Sequence, residues 1–377
     1  MQTLLAWHNT FHSPKRCGAA AAGIAFAVLL IFMEVGFLDA AKLNAALLYK
    51  GLDFDIAIVS RGYVSMQRTL PVNAFRILQA RSTPGVASAV PLWIDGAHWL
   101  NPLNHRLRSC RVIGIRPDDA AFVDPEINAQ LPLIKSAGTM LVDRLSSRRY
   151  GPWEYGGVAH VDNIPLRVAG TFAMGTGLIA DGGVIVSPET FERVSGRSPR
   201  AGFDLGLVRV APGHDPAEVA AALEAALPGD VLVLTKSAII AREQFFWVNL
   251  KPVGIMFRVG AIVAFLIGAV VLYQVLALEI SNRLHEFATM KALGYAPVSI
   301  YGVGAGQALI LSLLGYVPAC LLALGLYGLV FDHSRLPLFM EAGRALRVFA
   351  IMLAMCGIAA ILAFQKLRRA DPAELFR

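Results

Sequence analysis

The chain contains few residue patterns that could support chemistry. His8 and His12 have the i, i+4 spacing of a metal-binding pair on a helix, but no third ligand follows them. Gly18 and Gly23 resemble the start of a phosphate-binding loop, yet apolar residues follow where lysine and serine or threonine are required. No nucleophile elbow, zinc-peptidase motif or paired-carboxylate motif occurs between the apolar stretches. We therefore predict a non-catalytic protein without a metal or cofactor of its own.

The elements around these residues are those of a membrane protein. Of the 377 residues, 56% are hydrophobic and only 16% are charged, whereas about a quarter of a soluble protein is charged. Charge is nearly absent from four windows, which predicts four transmembrane helices and one large water-exposed domain. The net charge of +7 does not indicate nucleic-acid binding, because lysine and arginine lie beside the apolar windows or among acidic residues.

The apolar windows and their basic flanks define the predicted organisation. Basic residues cluster before the first window, between the second and third, and after the fourth, so the positive-inside rule places these regions in the cytoplasm. Both termini are then cytoplasmic, and the large domain lies outside. The predicted segments are an interfacial helix at 1–16, transmembrane helices at 17–39, 253–279, 295–331 and 348–366, a periplasmic α/β domain at 40–252, a cytoplasmic segment at 280–294, a short periplasmic loop at 332–347 and a cytoplasmic tail at 367–377.

The water-exposed domain has the pattern of a mixed α/β fold. Residues 53–60 alternate with period two, which predicts a strand, and residues 71–81 predict a helix with Pro71 in its first turn. A later helix begins at Asp215-Pro-Ala-Glu218, where Asp215 is the N-cap and Glu218 completes a capping box. The order strand–helix–strands, an all-β stretch, then strand–helix–strand predicts a split subdomain with a second one inserted.

Small and acidic residues mark two places in the apolar windows. Gly260, Ala264 and Gly268 recur every four residues, and small residues on one stripe let membrane helices approach closely. We predict that this stripe packs against a helix of the same chain or of a second copy. Glu34 lies at the far end of the first window, where it has either an intramembrane role or a snorkelling position at the interface.

A short charged segment, EISNRLHEFATMKALGY at 279–295, separates the second and third windows. Its apolar residues recur at i, i+3 and i+6 among charged ones; these are Leu284, Phe287 and Met290, with Arg283, Glu286 and Lys291. Such a run can be a solvated loop. A short amphipathic helix between two spans also has the size to dock in a groove of a separate ATPase, and the tail KLRRADPAELFR offers a second contact. We favour docking.

Longer motifs carry a family resemblance. NRLHEFATMKALGY with the Gly-rich span after it, and the tail with ADPAE, resemble the FtsX/MacB-type ABC transporter permeases. The segments similar to the DevC branch of that family are GIAFAVLLIFMEVGF, IGIRPDD, VDRLSS, ADGGVIVS, DLGLVRVAPG and VLTKSAIIAREQFFW. The resemblance therefore extends over almost the whole chain. Glu34 departs from the branch, which has an uncharged polar residue at that position.

The resemblance implies a membrane α-helical fold of four transmembrane helices with an inserted α/β extracytoplasmic domain of MacB-like porter-plus-insert type. It implies a homodimer in the bacterial inner membrane, in contact with membrane lipids and with a separate ABC ATP-binding subunit that holds ATP and Mg²⁺. It also implies a periplasmic membrane-fusion adaptor and a TolC-like outer-membrane channel. By position, the coupling helix that touches the ATPase comprises Ser281, Asn282, Arg283, Leu284, Glu286, Phe287, Met290 and Lys291.

The function expected from this resemblance is that of an exporter permease. Motion driven by ATP on the partner would pass to the periplasmic domain and drive efflux, which in the DevC branch is efflux of a glycolipid or other amphiphile. Two alternatives stay open. One is an FtsX-like regulatory scaffold that activates a cell-wall hydrolase, and the other is LolC/E-like lipoprotein extraction.

Overall fold

A computed structural model describes residues 14–67, 70–176, 180–282, 297–334 and 336–369. The α-helices are α1 (Pro14–Gly51), α2 (Phe75–Arg81), α3 (Pro125–Gln130), α4 (Pro188–Ser195), α5 (Pro216–Ala226), α6 (Lys236–Phe245), α7 (Pro252–Asn282), α8 (Pro297–Ser334) and α9 (Ala342–Arg369). The strands are β1 (Ile56–Ser60), β2 (Val72–Asn73), β3 (Val86–Leu100), β4 (Leu107–Gly114), β5 (Thr139–Asp143), β6 (Val158–Val161), β7 (Ile164–Phe172), β8 (Gly182–Val186), β9 (Gly202–Phe203), β10 (Leu205–Val210) and β11 (Val231–Thr235). A π-helix follows α6 at Phe246–Leu250.

The chain divides into two compact units. The helical unit comprises the described residues of Met1–Asp39, Pro252–His333 and Leu338–Arg377, and the α/β unit comprises those of Ala40–Lys251 and Ser334–Pro337. Helices α1, α7, α8 and α9 each contain a stretch long and apolar enough to cross a membrane. These stretches are Cys17–Gly51, Pro252–Leu278, Ala305–Asp332 and Ala342–Ala363. The prediction of four membrane helices and an α/β domain is confirmed.

All four long helices extend beyond the predicted spans, and α1 and α9 do so by the widest margins. Helix α1 continues past residue 39 to Gly51, because no proline or glycine interrupts residues 37–50 and its apolar side chains there, such as Ala46, are buried. Helix α9 begins at Ala342 and not at residue 348, because Arg344 in its first turn is buried in an ion pair. Charged residues near a helix end therefore do not mark its boundary here.

The α/β unit is built on a sheet of four antiparallel strands in the order β11-β1-β10-β3. Helix α2 connects β1 to β3 and helix α5 connects β10 to β11, which is the β-α-β-β-α-β arrangement of ferredoxin-like folds. The side chain of Asp215 caps α5 by accepting from the N–H of Ala217 at 3.2 Å, and Pro216 is the first helical residue. Both features follow the sequence prediction.

A second subdomain is inserted through the long strand β3. Residues Val86–Leu92 of this strand pair with β10, and residues Trp93–Leu100 pair with β4. The order then runs β3-β4-β8-β5-β7-β6, and β6 pairs back onto the end of β3, so the six strands close into a barrel. Trp99 and Tyr150 stack inside it with ring centroids 4.4 Å apart. The predicted insertion is confirmed. The strand pattern of the sequence does not show that the inserted strands close into a barrel.

The helix predicted at 71–81 begins later, at Phe75. Val72 and Asn73 instead form β2, which pairs with β9. The side chain of Asn73 accepts a hydrogen bond from the N–H of Phe75 at 3.0 Å, which turns the chain into α2.

Candidate coupling elements

The segment predicted to contact an ATPase is only partly described. Ser281 and Asn282 are the last two residues of α7. The remaining members of the predicted set lie outside the described residues; these are Arg283, Leu284, Glu286, Phe287, Met290 and Lys291. A docking role for this segment stays a prediction.

The stripe of small residues on α7 faces helices of the same chain. Ala264 is buried, and a Cβ added at Gly260 would lie 2.5 Å from the carboxylate carbon of Glu34 on α1. A Cβ added at Gly268 would lie 2.9 Å from the Cβ of Ala27, also on α1, and would collide with Met355 on α9. The stripe therefore permits close packing of α7 on α1 and α9. A role in dimer formation stays a prediction.

We expect Gly268→Ala to destabilise the helical unit, because the new methyl group overlaps the fixed Cβ of Ala27 as well as Met355. Overpacking of this kind costs about 1–3 kcal/mol. Gly325→Ala is the matched control, since a Cβ at Gly325 has no neighbour within 4 Å in the described structure. Thermal unfolding of the two variants in lipid nanodiscs measures the difference. Equal midpoints for both variants would show that the stripe is not tightly packed.

Ionic and hydrogen-bonding side chains join three helices of the helical unit. Asp39 on α1 accepts from Nε of Arg344 at 3.0 Å and also pairs with Arg347, both on α9. Arg344 is only 1% exposed, and its guanidinium carbon lies 5.3 Å from the ring centroid of Tyr327 on α8. Tyr327 in turn donates to the carbonyl of Phe32 on α1. We call these residues the Asp39 cluster; they connect α1, α8 and α9.

A buried carboxylate in the α/β unit joins the last turns of α1 to α6. Oε2 of Glu243 accepts from Tyr63 at 2.6 Å, from the N–H of Met66 at 3.0 Å and from Tyr49 at 3.3 Å. Oε1 of Glu243 accepts from the indole of Trp247 at 3.1 Å. The hydroxyl groups of Tyr49 and Tyr63 are themselves 2.5 Å apart. These five residues form the Glu243 network, in which every carboxylate oxygen has a partner.

Burial dominates the electrostatics of this network. Desolvation raises the pKa of Glu243, and the hydrogen bonds from its neighbours oppose that rise. Desolvation also raises the pKa of Tyr63, so its hydroxyl remains a proton donor to the carboxylate. Asp143 has a pKa raised by burial, opposed by three backbone N–H donors. Burial lowers the pKa of Arg111, whose charge interacts with both Glu243 and Asp143.

Sequence reasoning missed the Glu243 network. One signal was present, because Ile239 and Trp247 lie four residues on either side of Glu243 and are both buried. A glutamate on the apolar face of a helix indicates a buried carboxylate with partners elsewhere. Its partners could not be read from the sequence, since Tyr63 is 180 residues away.

No group of three or more potential metal ligands occurs in the parts of the chain that the structure describes. The predicted pair His8 and His12 lies outside those parts. The isolated His98 is exposed and pairs with Asp162 at 3.0 Å, as a surface residue does.

Four helices able to cross a membrane, together with one α/β unit, define a multi-pass membrane protein with a folded water-exposed domain. Two family models match the chain: MacB-like periplasmic core domain at residues 18–226, and FtsX-like permease C-terminal at residues 258–372. The chain belongs to the MacB/FtsX-like family of ABC transporter permeases. Membership implies partnership with an ABC ATPase, and the family is generally non-catalytic.

Several solved structures resemble the chain. The periplasmic region of MacB from Actinobacillus actinomycetemcomitans is 11% identical with a TM-score of 0.36, over 51% of this chain and 93% of that one. The extracellular domain of the ABC-type transporter YknZ from Gram-positive bacteria is 9% identical with a TM-score of 0.34, over 48% and 98%. A permease-protein domain from Porphyromonas gingivalis is 13% identical with a TM-score of 0.32, over 50% and 88%. A search of curated protein sequences gave no match.

Proposed function

We propose that the chain is the permease subunit of an ABC exporter and works by transmitting motion. Hydrolysis of ATP by a separate subunit displaces the segment at 280–294, and the motion reaches the α/β unit along the helices that enter and leave it. The chain binds neither ATP nor Mg²⁺ itself. Family membership supports the ATPase partnership, and the absence of a recognisable catalytic motif in the sequence supports a mechanical role.

The observation that carries this proposal is the construction of α1 and its partner α6. Helix α1 is one uninterrupted helix from Pro14 to Gly51. Its last turns are held to α6 by the Glu243 network and by the side chain of Gln244, which donates to the carbonyl of Lys42 at 3.2 Å. A continuous helix with an anchored end transmits displacement along its axis, whereas a flexible linker would absorb it.

The remaining parts of the proposal follow the resemblance to the DevC branch. The permease forms a homodimer in the bacterial inner membrane with its termini in the cytoplasm. A periplasmic membrane-fusion adaptor and a TolC-like outer-membrane channel complete the path. The exported molecule is a glycolipid or another amphiphile, taken from the membrane lipids or from the periplasmic space.

Reversing the charges of the coupling segment tests the proposal. We expect the double variant Glu286→Lys, Lys291→Glu to lose at least about tenfold of the ATP hydrolysis that the permease stimulates in its partner, because each reversed side chain would meet a like charge on the docking surface of the ATPase. Co-reconstituted permease and ATPase in liposomes provide the measurement.

The control for this experiment is a matched reversal away from the segment. Glu126 and Arg144 form an exposed ion pair at 2.9 Å in the α/β unit, so Glu126→Arg, Arg144→Glu changes the same number of charges. This control should retain stimulation. Full stimulation by the Glu286 and Lys291 double variant, at normal levels of inserted protein, would rule out the coupling role.

A further inference from the structure

A cleft in the α/β unit shares no lining residue with the Glu243 network. It has a volume of about 580 Å³ and lies between α2 of the ferredoxin-like part and α4 of the inserted part. Trp93 and Phe203, both buried, line its base. Cavities of a few hundred Å³ with an apolar base and a few polar groups are the usual form of small-molecule sites.

One wall of the cleft exposes apolar side chains to water. Phe75 and Leu78 are 68% and 56% exposed and lie three residues apart on α2, so they share one face of that helix. Contiguous exposed apolar surface on a water-exposed domain marks a binding surface. An apolar chain laid along Phe75 and Leu78 would cover both.

The remaining walls present charges of both signs. Arg116 and Arg200 are exposed at the cleft, and Glu189 and Glu192 face it from α4. Within the described residues none of these four side chains forms an ion pair, and Arg116 interacts at longer range with the carboxylate of Asp119. Two further charges of the lining are already engaged: Asp118 pairs with Lys135 at 2.7 Å, and Arg81 donates to the carbonyl of Ala89 at 2.8 Å.

We infer that this cleft binds a zwitterionic amphiphile with a single alkyl chain. The chain lies on Phe75 and Leu78, a phosphate group is held by the guanidinium groups of Arg116 and Arg200, and an ammonium group is held by Glu189 and Glu192. Guanidinium groups favour phosphate, and carboxylates favour ammonium, so a phosphoethanolamine head group matches both pairs. That the bound amphiphile is the exported substrate rests on the proposed function, whereas the binding of an amphiphile to this cleft does not.

A titration with a water-soluble analogue tests the inference. The full chain is reconstituted in nanodiscs of phosphatidylglycerol and titrated calorimetrically with hexyl phosphoethanolamine, with empty nanodiscs as the reference. We expect saturable binding, and Leu78→Asp should weaken it at least about tenfold, because a charged carboxylate then replaces the apolar side chain on which the alkyl chain lies. Leu103→Asp, at a residue 74% exposed in the inserted part, is the matched control and should bind normally.

Three further ligands test the parts of the amphiphile separately. Hexyl phosphate tests the phosphate group, hexylamine tests the ammonium group, and phosphoethanolamine without a chain tests the alkyl chain. Arg200→Gln should weaken hexyl phosphate but not hexylamine, and Glu192→Gln should do the reverse. Phosphoethanolamine without a chain should bind more weakly than the hexyl compound; equal binding would overturn the amphiphile and point to a site for the free head group. Equal affinity of wild type and Leu78→Asp would overturn the site. The titration requires neither ATP nor the ATPase, so it is independent of the Glu286 and Lys291 experiment.

Discussion

Glu243→Ala is expected to lower the free energy of unfolding of the α/β unit by about 3–5 kcal/mol. Removal of the carboxylate leaves three buried donors without an acceptor: one of the two hydroxyls of Tyr49 and Tyr63, which can still bond each other, the N–H of Met66 and the indole N–H of Trp247. Each orphaned donor costs about 1–3 kcal/mol, less where water enters the space. Urea unfolding followed by tryptophan fluorescence measures the loss.

The control for this change is Glu126→Gln, which removes the charge of an exposed glutamate paired with Arg144. We expect no measurable change from it, because exposed ion pairs contribute little. If Glu243→Ala unfolds at the same urea concentration as Glu126→Gln, the network does not stabilise the α/β unit. Under the proposed function, Glu243→Ala should also reduce partner-stimulated ATP hydrolysis, since it loosens the end of α1.

The stability that Glu243 contributes to the α/β unit should depend on pH. Burial raises the pKa of Glu243 above its ordinary value of 4.5, so the carboxyl group is protonated more readily in the folded chain than in the unfolded chain. The stability from this group is therefore complete below pH 4.5 and is lost as the pH rises through the folded pKa. We expect the wild type to lose more stability than Glu243→Gln over that rise. Parallel profiles for the two proteins would contradict the assignment, because Asp143 contributes equally to both.

The sequence predicted what depends on local pattern. The four apolar helices follow from hydropathy, and the start of α5 follows from Asp215 and Pro216. The inserted subdomain follows from the order of strands and helices. The barrel closure could not be predicted, since it depends on the pairing of Trp99 with Val161, which are distant in sequence. The local pattern places Val72 and Asn73 in a helix because their pairing with β9 is also non-local.

The candidate sites also contain features with a local sequence pattern and contacts between residues that are distant in sequence. The stripe from Gly260 to Gly268 was visible as a repeat of small residues, but its neighbours on α1 and α9 were not. The Asp39 cluster has no local signature, since Asp39 and Arg344 are 305 residues apart. The apolar residues around Glu243 on α6 indicate a buried carboxylate but do not identify its partners, since Tyr63 is 180 residues away. Charges at the ends of the apolar windows indicate topology, but they do not indicate that Arg344 is buried.

Glu243, which is buried, and Asp39, which is partly exposed, differ in how their charges are balanced. Glu243 is held by neutral donors, whereas Asp39 is held by two arginines of which one is buried and one is exposed. Loss of Asp39 therefore removes a partner and also leaves a positive charge uncompensated in the interior. A buried charge without its partner is costlier than a missing pair. Substitutions of the different members of the Asp39 cluster should therefore change the stability of the helical unit by different amounts.

Asp39→Leu is expected to destabilise the helical unit by about 3–5 kcal/mol, because Arg344 then remains buried without a counter-charge. Arg347→Ala should cost much less, about 0–1 kcal/mol, because that side chain is 55% exposed. The double variant Asp39→Leu, Arg344→Leu should recover most of the loss, since apolar residues can replace a buried ion pair without penalty. Thermal unfolding of the full chain in nanodiscs measures all three. A double variant no more stable than Asp39→Leu alone would show that Arg344 is needed for its interactions with Tyr327 and with the carbonyl of Phe339, and not only to neutralise Asp39.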